Sequence, residues 1–376
     1  MYSGTGIHEL RVCVYEVPTD EPESDGTFAW DSTTLVVVRV RSGAVWGLGF
    51  TYAPEAAANL IRHHLCEVVL ARDALDVPGT WQAMLRQVRN IGRPGVASMA
   101  MAAVDTALWD LKARLLNVPL AQLLGRAQET VAVYGSGGFT SYSEDRLQRQ
   151  LAGWVEQGLK RVKIKIGRSP SEDLRRVRLA RDAIGEDTEL FVDANGAYDR
   201  KQALRFAQEF AQLGVTWFEE PVSSDDREGL RLLRDRAPAG MDISAGEYGY
   251  SVFYFRDMLA AGAVDVLQAD VTRVAGITEF LRVGALCFAH NTPLSAHTAP
   301  ALSLHVCTAL PGLRHLEYFH DHVRIEQLLF DGVRTPLDGA LSPDLSQPGH
   351  GLSLKERHVR RFLVHQHDAH ADSPRR

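Results

Sequence analysis

Cysteine is scarce. The 376 residues hold four, Cys13, Cys66, Cys287 and Cys307, none in a CxxC pair. That excludes a disulfide framework and a zinc ribbon, and three of them sit in apolar segments that predict buried free thiols. No apolar run reaches the ~18 residues that mark a membrane-spanning helix. The opening Met1-Tyr-Ser-Gly-Thr-Gly-Ile-His8 lacks a basic stretch followed by an apolar one, so no secretory signal is expected. Positive charge is not in excess: 41 Lys and Arg against 47 Asp and Glu leave a net charge of -6, which argues against a nucleic-acid or membrane-surface binder. A phosphate-cradling glycine loop is also missing. Gly135-Ser-Gly-Gly138 is not GxGxxG, and reads either as a plain turn or as room for a substrate or loop. The expectation is a reduced, cytoplasmic protein with a small-molecule partner.

What is present is material for a large core. Hydrophobic residues make up 45% and charged residues 23%, which excludes wholesale disorder. The length fits two domains, or one barrel with an addition. Alternation at 9–17 and 33–41 predicts two strands, and Ser42-Gly43 a turn into a third. Between the first two lies Pro18–Asp31, read as a long Pro- and Gly-broken hairpin loop of the kind that serves as a lid. Helical patterns follow near 54–70, 79–90 and 95–116, the last apolar over most of its surface. From about 130 the pattern becomes regular strand–helix alternation. Strands are predicted at 130–135, 161–166, 189–193, 215–219, 242–246, 264–269, 292–297 and 313–318. Eight strands separated by helices, without a visible sequence repeat, indicate an α/β barrel. The segment 326–365 returns to loops and a short strand, and 365–376 reads as a polar, mobile tail.

In a parallel barrel the reacting groups sit at the C-terminal strand ends, and here those ends carry the charges. They are Lys163 and Lys165, Asp193, Glu219, Glu247, Asp270, His297 and Glu317. Asp193, Glu219 and Glu247 are each about one βα unit apart, so neighbouring strands would aim three carboxylates at one point. Three such anions need a cation, and an all-oxygen set suits Mg²⁺; the alternative is that each pairs with a nearby Lys or Arg. Lys163 and Lys165 alternate on one strand and face the interior. Two ammonium groups that close would depress each other's pKa and supply a base, unless they simply pair with the carboxylates. Asp270 behind His297 would fix its tautomer. Glu317, if protonated, could donate a hydrogen bond to a developing oxyanion. The other histidines read mostly as solvent-facing.

These residues resemble the enolase superfamily, specifically its mandelate racemase subgroup, over about residues 8–365. The resemblance rests on Ala103-Val-Asp-Thr-Ala-Leu-Trp-Asp-Leu-Lys112, Pro119-Leu-Ala-Gln-Leu-Leu-Gly125, Lys163-x-Lys165, Asp193-Ala-Asn195, Glu219-Glu-Pro221, Gly246-Glu247, Asp270 and His297. It implies an N-terminal α+β capping domain (1–126) with lid loops near 18–32 and 50–55. A modified TIM barrel, (β/α)7β, would follow at 127–325, and a C-terminal segment (326–376) would return to the cap. It implies homo-oligomers, often octamers. By position, Asp193, Glu219 and Glu247 match the magnesium ligands, Lys163 the carboxylate-side lysine and Lys165 one base. His297 with Asp270 matches the opposite base and Glu317 the hydrogen-bond donor.

The implied chemistry is removal of the proton α to a carboxylate. With a β-hydroxyl present, water leaves and a sugar acid becomes a 2-keto-3-deoxy acid; without one, the far-face base reprotonates, giving a racemase or epimerase of 2-hydroxy acids. The lid favours the dehydratase. It carries Asp20, Glu21, Glu23, Asp25 and Asp31, no Lys or Arg, and only Phe28 and Trp30 as aromatics, a lining suited to hydroxyl groups unless those acids all point into water. Arg273 is a candidate for a second substrate carboxylate. Asp270 stands where muconate-cycloisomerase and dipeptide-epimerase sites usually carry lysine, which counts against both.

Overall fold

The computed structural model describes residues 4–371. Three antiparallel strands open the chain, β1 (Glu9–Ser24), β2 (Ala29–Ser42) and β3 (Val45–Tyr52). Their period-2 alternation sends side chains to opposite faces, and here both faces are buried. Leu10, Val12, Val14, Val36, Val38 and Val40 pack with the helix Val96–Leu115 in one core, while Cys13, Tyr15, Val17, Leu35 and Val37 join the barrel's core. The helix lies hard against β3. A Cβ at Gly47 or Gly49 would fall 2.3 Å from a helix carbonyl, that of Ala107 or Ala103, so no larger residue fits.

Two expectations for this region change. Residues 18–31 are not an irregular loop. β1 and β2 continue as a ribbon, broken only by a bulge between Pro18 and Glu23 and turned at Asp25–Phe28. Asp25 builds the turn itself, its Oδ1 accepting from the backbone N–H groups of Thr27 (2.6 Å) and Phe28 (2.7 Å). The Pro and Gly signals therefore mark a bulge and a tight turn within a strand pair. At the other end, Leu363–His370 is a strand, paired antiparallel with β1 from Tyr15↔Leu363 to Glu9↔His370. Composition made it look like a tail, but an edge strand needs only backbone partners, and its exposed polar side chains suit an edge. Residues 372–376 lie outside the described residues.

Eight parallel strands follow: β4 (Val131–Gly137), β5 (Arg161–Lys165), β6 (Glu189–Asp193), β7 (Val215–Glu219), β8 (Asp242–Ala245), β9 (Val266–Ala269), β10 (Leu294–Ala296) and β11 (Leu313–Phe319). Each pairs with its chain neighbour, and β11 pairs with β4 at Leu316↔Val133, closing the barrel. Helices at 144–156, 170–184, 200–211, 227–236, 252–260, 277–289 and 300–307 make the crossovers. The barrel interior is plugged below its mouth by Tyr134, Phe191 and Trp217. All four cysteines are free and buried, and among the described residues no helix is long and apolar enough to cross a membrane.

Candidate active site

The barrel register assembles the site. Lys165 pairs across with Asp193 and Asp193 with Glu219, so strands β5, β6 and β7 present their last residues in one layer. Glu247 reaches the same point from beyond β8. Gly246 turns the chain there at φ +136°, where a Cβ would meet the Gln268 carbonyl at 2.2 Å; only glycine permits that turn. Carboxylate oxygens of Asp193, Glu219 and Glu247 lie within 4.8 Å of one another, all three residues buried. The backbone just past the strands is held in the left-handed region at Asn195, Glu220, Thr298 and Ala299, which costs on the order of 1–3 kcal/mol per non-glycine residue and is characteristic of functional sites.

Both lysines rest on these carboxylates. Lys163 Nζ is 2.6 Å from Glu219, 2.8 Å from Glu317 and 3.5 Å from Asp193. Lys165 Nζ is 2.5 Å from Asp193. Burial by itself would lower both lysine pKa values. The surrounding anions outweigh it, Glu219 and Glu317 first for Lys163 and Asp193 first for Lys165, and both pKa values are raised. The expected mutual depression of the two lysines is thus overturned. Each ammonium answers to a carboxylate in direct contact, and the ion-pair alternative describes this arrangement. Glu317 differs from expectation too. Burial would push its carboxyl up, but Lys163 and His297 pull it down to about 2. It is an ionised acceptor, receiving the Thr298 N–H at 3.3 Å.

Against that wall stands His297. Its Nδ1 is 2.8 Å from Asp270 Oδ2, and Asp270 is fixed by the N–H and hydroxyl of Thr272, both at 2.7 Å. Burial, outweighed by His297 and Arg273, leaves the Asp270 carboxyl at about 2. Nε2 of His297 faces Glu247 at 3.2 Å and Glu317 at 3.5 Å. Burial disfavours the imidazolium, but Glu247, Glu317 and Asp270 together hold its pKa at about 10. All eight predicted side chains therefore meet in one neighbourhood. Lys165, Glu247 and His297 line a cavity of about 560 Å³; the other five are almost fully buried around it.

Three features escaped the sequence reading. Glu220 is buried with one carboxylate oxygen lacking any partner. Burial, then Glu247, Asp193 and Glu219, hold its carboxyl well above the usual range; the acid doublet before Pro221 was its only signal. His305, His315, His322 and His350 are buried, not solvent-facing, and His322 stacks on Tyr52 at the cavity edge. Of the five lid acids only Asp25 lines the cavity. Asp25 is spent on its own turn, Glu23 accepts from Trp30 Nε1 at 2.8 Å, and Asp20 pairs with Arg146 at 2.9 Å. The hairpin also contributes Phe28, Trp30, Ser32, Thr33 and Thr34 to the lining. Arg273 also lines the cavity, 3.1 Å from the Glu247 carbonyl and over the Tyr248 ring.

The oxygen-only triad fits a hard divalent cation. Burial and Asp193 raise Glu219 to about 8, as expected where carboxylates crowd together without one.

Comparison with known proteins agrees with the fold. Residues 9–125 match the family model "Mandelate racemase / muconate lactonizing enzyme, N-terminal domain", and 146–358 match "Enolase C-terminal domain-like". The chain is 33% identical over 329 residues to L-talarate/galactarate dehydratase of Salmonella typhimurium, covering 84% of this chain and 82% of that protein. A structure of the Salmonella dehydratase liganded with Mg and L-lyxarohydroxamate superposes with a TM-score of 0.89 at 29% identity, covering 97% of this chain and 95% of that one. A 3,6-anhydro-alpha-L-galactonate cycloisomerase of Streptomyces coelicolor is 31% identical, covering 95% of this chain and 99% of that protein. A mandelate racemase/muconate lactonizing enzyme-like protein from Rubrobacter xylanophilus superposes with a TM-score of 0.94 at 54% identity, covering 96% of this chain and 100% of that one.

Proposed function

The chain belongs to the mandelate racemase and muconate lactonizing enzyme family of the enolase superfamily, and from that membership we propose that it is a magnesium-dependent hydro-lyase. Its reaction removes the proton α to the carboxylate of a sugar acid and expels the β-hydroxyl, giving a 2-keto-3-deoxy acid. The observation that carries this is the placing of Lys165 and His297 on one cavity beside three converging carboxylates, in a chain resembling sugar-acid dehydratases.

Asp193, Glu219 and Glu247 would hold magnesium, whose chemistry when bound is to neutralise the charge that grows on the substrate carboxylate as the α proton leaves. Lys163, wholly buried, adds a fixed positive charge under the same point. Lys165 takes the α proton. To do so it must first lose its ammonium proton to solvent and give up Asp193, since one carboxylate cannot serve the ammonium and a metal at full strength; the neutral amine is then the base. His297 enters as imidazolium, held by Asp270, and gives its Nε2 proton to the departing hydroxyl. One proton gained by Lys165 and one lost by His297 balance the elimination, and the enol product becomes the keto acid. Glu317 keeps His297 and Lys163 charged.

The second reading, a racemase or epimerase, keeps one support: β5 and β10 stand well apart around the barrel, so Lys165 and His297 approach from different sides. The reduced, cytoplasmic setting and a homo-oligomeric assembly belong to the same proposal, the first supported by four free buried thiols.

The test is incubation with mono- and diacid sugars and Mg²⁺ in D₂O. Keto acid carrying deuterium at C3 is the expected result. Deuterium at Cα without keto acid would move the assignment to the epimerase, and neither from any acid would reject the proton-abstraction chemistry.

A further inference from the structure

A second convergence of ligand-type side chains lies where the cap hairpin meets the barrel. The pairing of β1 with β2 slips between Pro18↔Ser32 and Glu23↔Trp30, so residues 19–22 bulge out. A bulge re-aims the side chains it carries. Here it brings Asp20 and Glu23 to His320, the first residue of the helix that follows β11. Donor atoms of Asp20, Glu23 and His320 all lie within 4.8 Å of one another, and His320 Nε2 is 3.1 Å from Asp20 Oδ2.

Glu23 is the independent pointer to a ligand. It is 1% exposed, and although one oxygen accepts from Trp30, the other has no hydrogen-bond partner. An unpartnered buried carboxylate oxygen is costly. The local charge points the same way. Arg146 pairs with Asp20 and Glu21, and Arg324 with Asp321. The four carboxylates Asp20, Glu21, Glu23 and Asp321 thus meet two guanidiniums, an excess equal to the charge of one divalent ion.

We propose that Asp20, Glu23 and His320 form a second divalent-cation site that fastens the lid hairpin to the barrel. One imidazole nitrogen with two carboxylates suits a borderline ion such as Zn²⁺ better than the hard Mg²⁺ of the cavity. The position gives the ion a task. Asp25, two residues beyond Glu23, lines the cavity, as do Trp30, which holds Glu23, and Phe319, which precedes His320. An ion here sets how closely the hairpin covers the substrate without touching the reacting atoms. The proposal stands apart from the dehydratase assignment.

The experiment counts ions. Chelator-stripped protein is dialysed against Zn²⁺ and, in parallel, Co²⁺, then analysed for metal. Two ions per chain are expected in the parent, and one in His320→Asn and in Asp20→Asn. Asp20 is exposed, so the latter change is compatible with folding, which equal melting temperatures in chelator confirm. His320→Asn should also alter the visible spectrum of the cobalt form, because a nitrogen ligand is lost. A parent that binds a single ion, or variants that keep both, would overturn the proposal whatever the outcome of the sugar-acid screen.

Discussion

Two of the regions in which this protein buries acids put them to opposite work. At the seam between cap and barrel, Asp110 is saturated: it accepts from the backbone N–H of Leu48 (2.8 Å) and of His350 (2.9 Å) and from Arg114 Nε (2.7 Å). Asp105, one helical turn away, accepts from the N–H (2.9 Å) and hydroxyl (2.6 Å) of Thr278. At the barrel mouth, Asp193, Glu219, Glu220 and Glu247 share a few cations and crowd one another. Burial is common to both regions and so distinguishes nothing. A carboxylate whose partners are backbone donors is a strut, whereas carboxylates facing each other wait for a ligand.

The comparison breaks if the two kinds of acid respond alike to removal. The largest effect is expected for Glu219→Gln. Turnover should fall at least ~10³-fold and Mg²⁺ affinity measured by calorimetry should drop, yet stability in urea should stay within ~1 kcal/mol because a crowded negative charge is lost. Wild-type affinity for Mg²⁺ would remove Glu219 from the ligand set. His297→Asn should lower keto-acid formation by ~10² to 10⁴-fold while leaving Lys165-dependent α-proton exchange measurable by NMR. Loss of both together would mean that His297, not Lys165, takes the proton.

At the seam the expectation reverses. Asp110→Ala strands two buried N–H groups and a guanidinium, so urea unfolding should report a loss of ~3–5 kcal/mol, with Mg²⁺ affinity unchanged in the folded fraction. A variant as stable as its parent would refute the strut. The smallest effect concerns pH. Burial, partly offset by Thr278, raises Asp105 from 3.8 to about 7. Because the folded state holds this proton more tightly than the unfolded one, Asp105 detracts from stability progressively as pH rises from about 3.8 to about 7. In Asp105→Asn the melting temperature should depend less on pH across that window; an unaltered profile would assign the dependence to other groups.

How much of this was legible beforehand varies by element. The barrel strands were readable almost to the residue, because short apolar runs alternate with helical periods and the charges fall at the run ends. The ribbon at 18–31 was not. Its prolines and glycine are local turn signals, whereas its pairing depends on β2 across the bulge. Helical spacing puts Ile277, Phe280 and Phe288 on one side of the helix Ile277–Ala289, yet Phe288, at its end, is exposed while Ile277 and Phe280 are buried. The motif around Asp105 and Asp110 was readable as a family likeness, but its job as a pair of struts was not, since their partners Thr278 and His350 lie far along the chain.

The order of residues by itself determined which side chains end up at the barrel mouth, because one βα unit advances the chain by one strand and alternation sets which face each residue takes. Only the tertiary structure decided their state: that both lysines are locked on carboxylates, that Glu317 is ionised, and that Glu247 joins the triad through the Gly246 turn. Ionisation and hydrogen-bond partners depend on through-space neighbours and on burial, neither of which local periodicity contains.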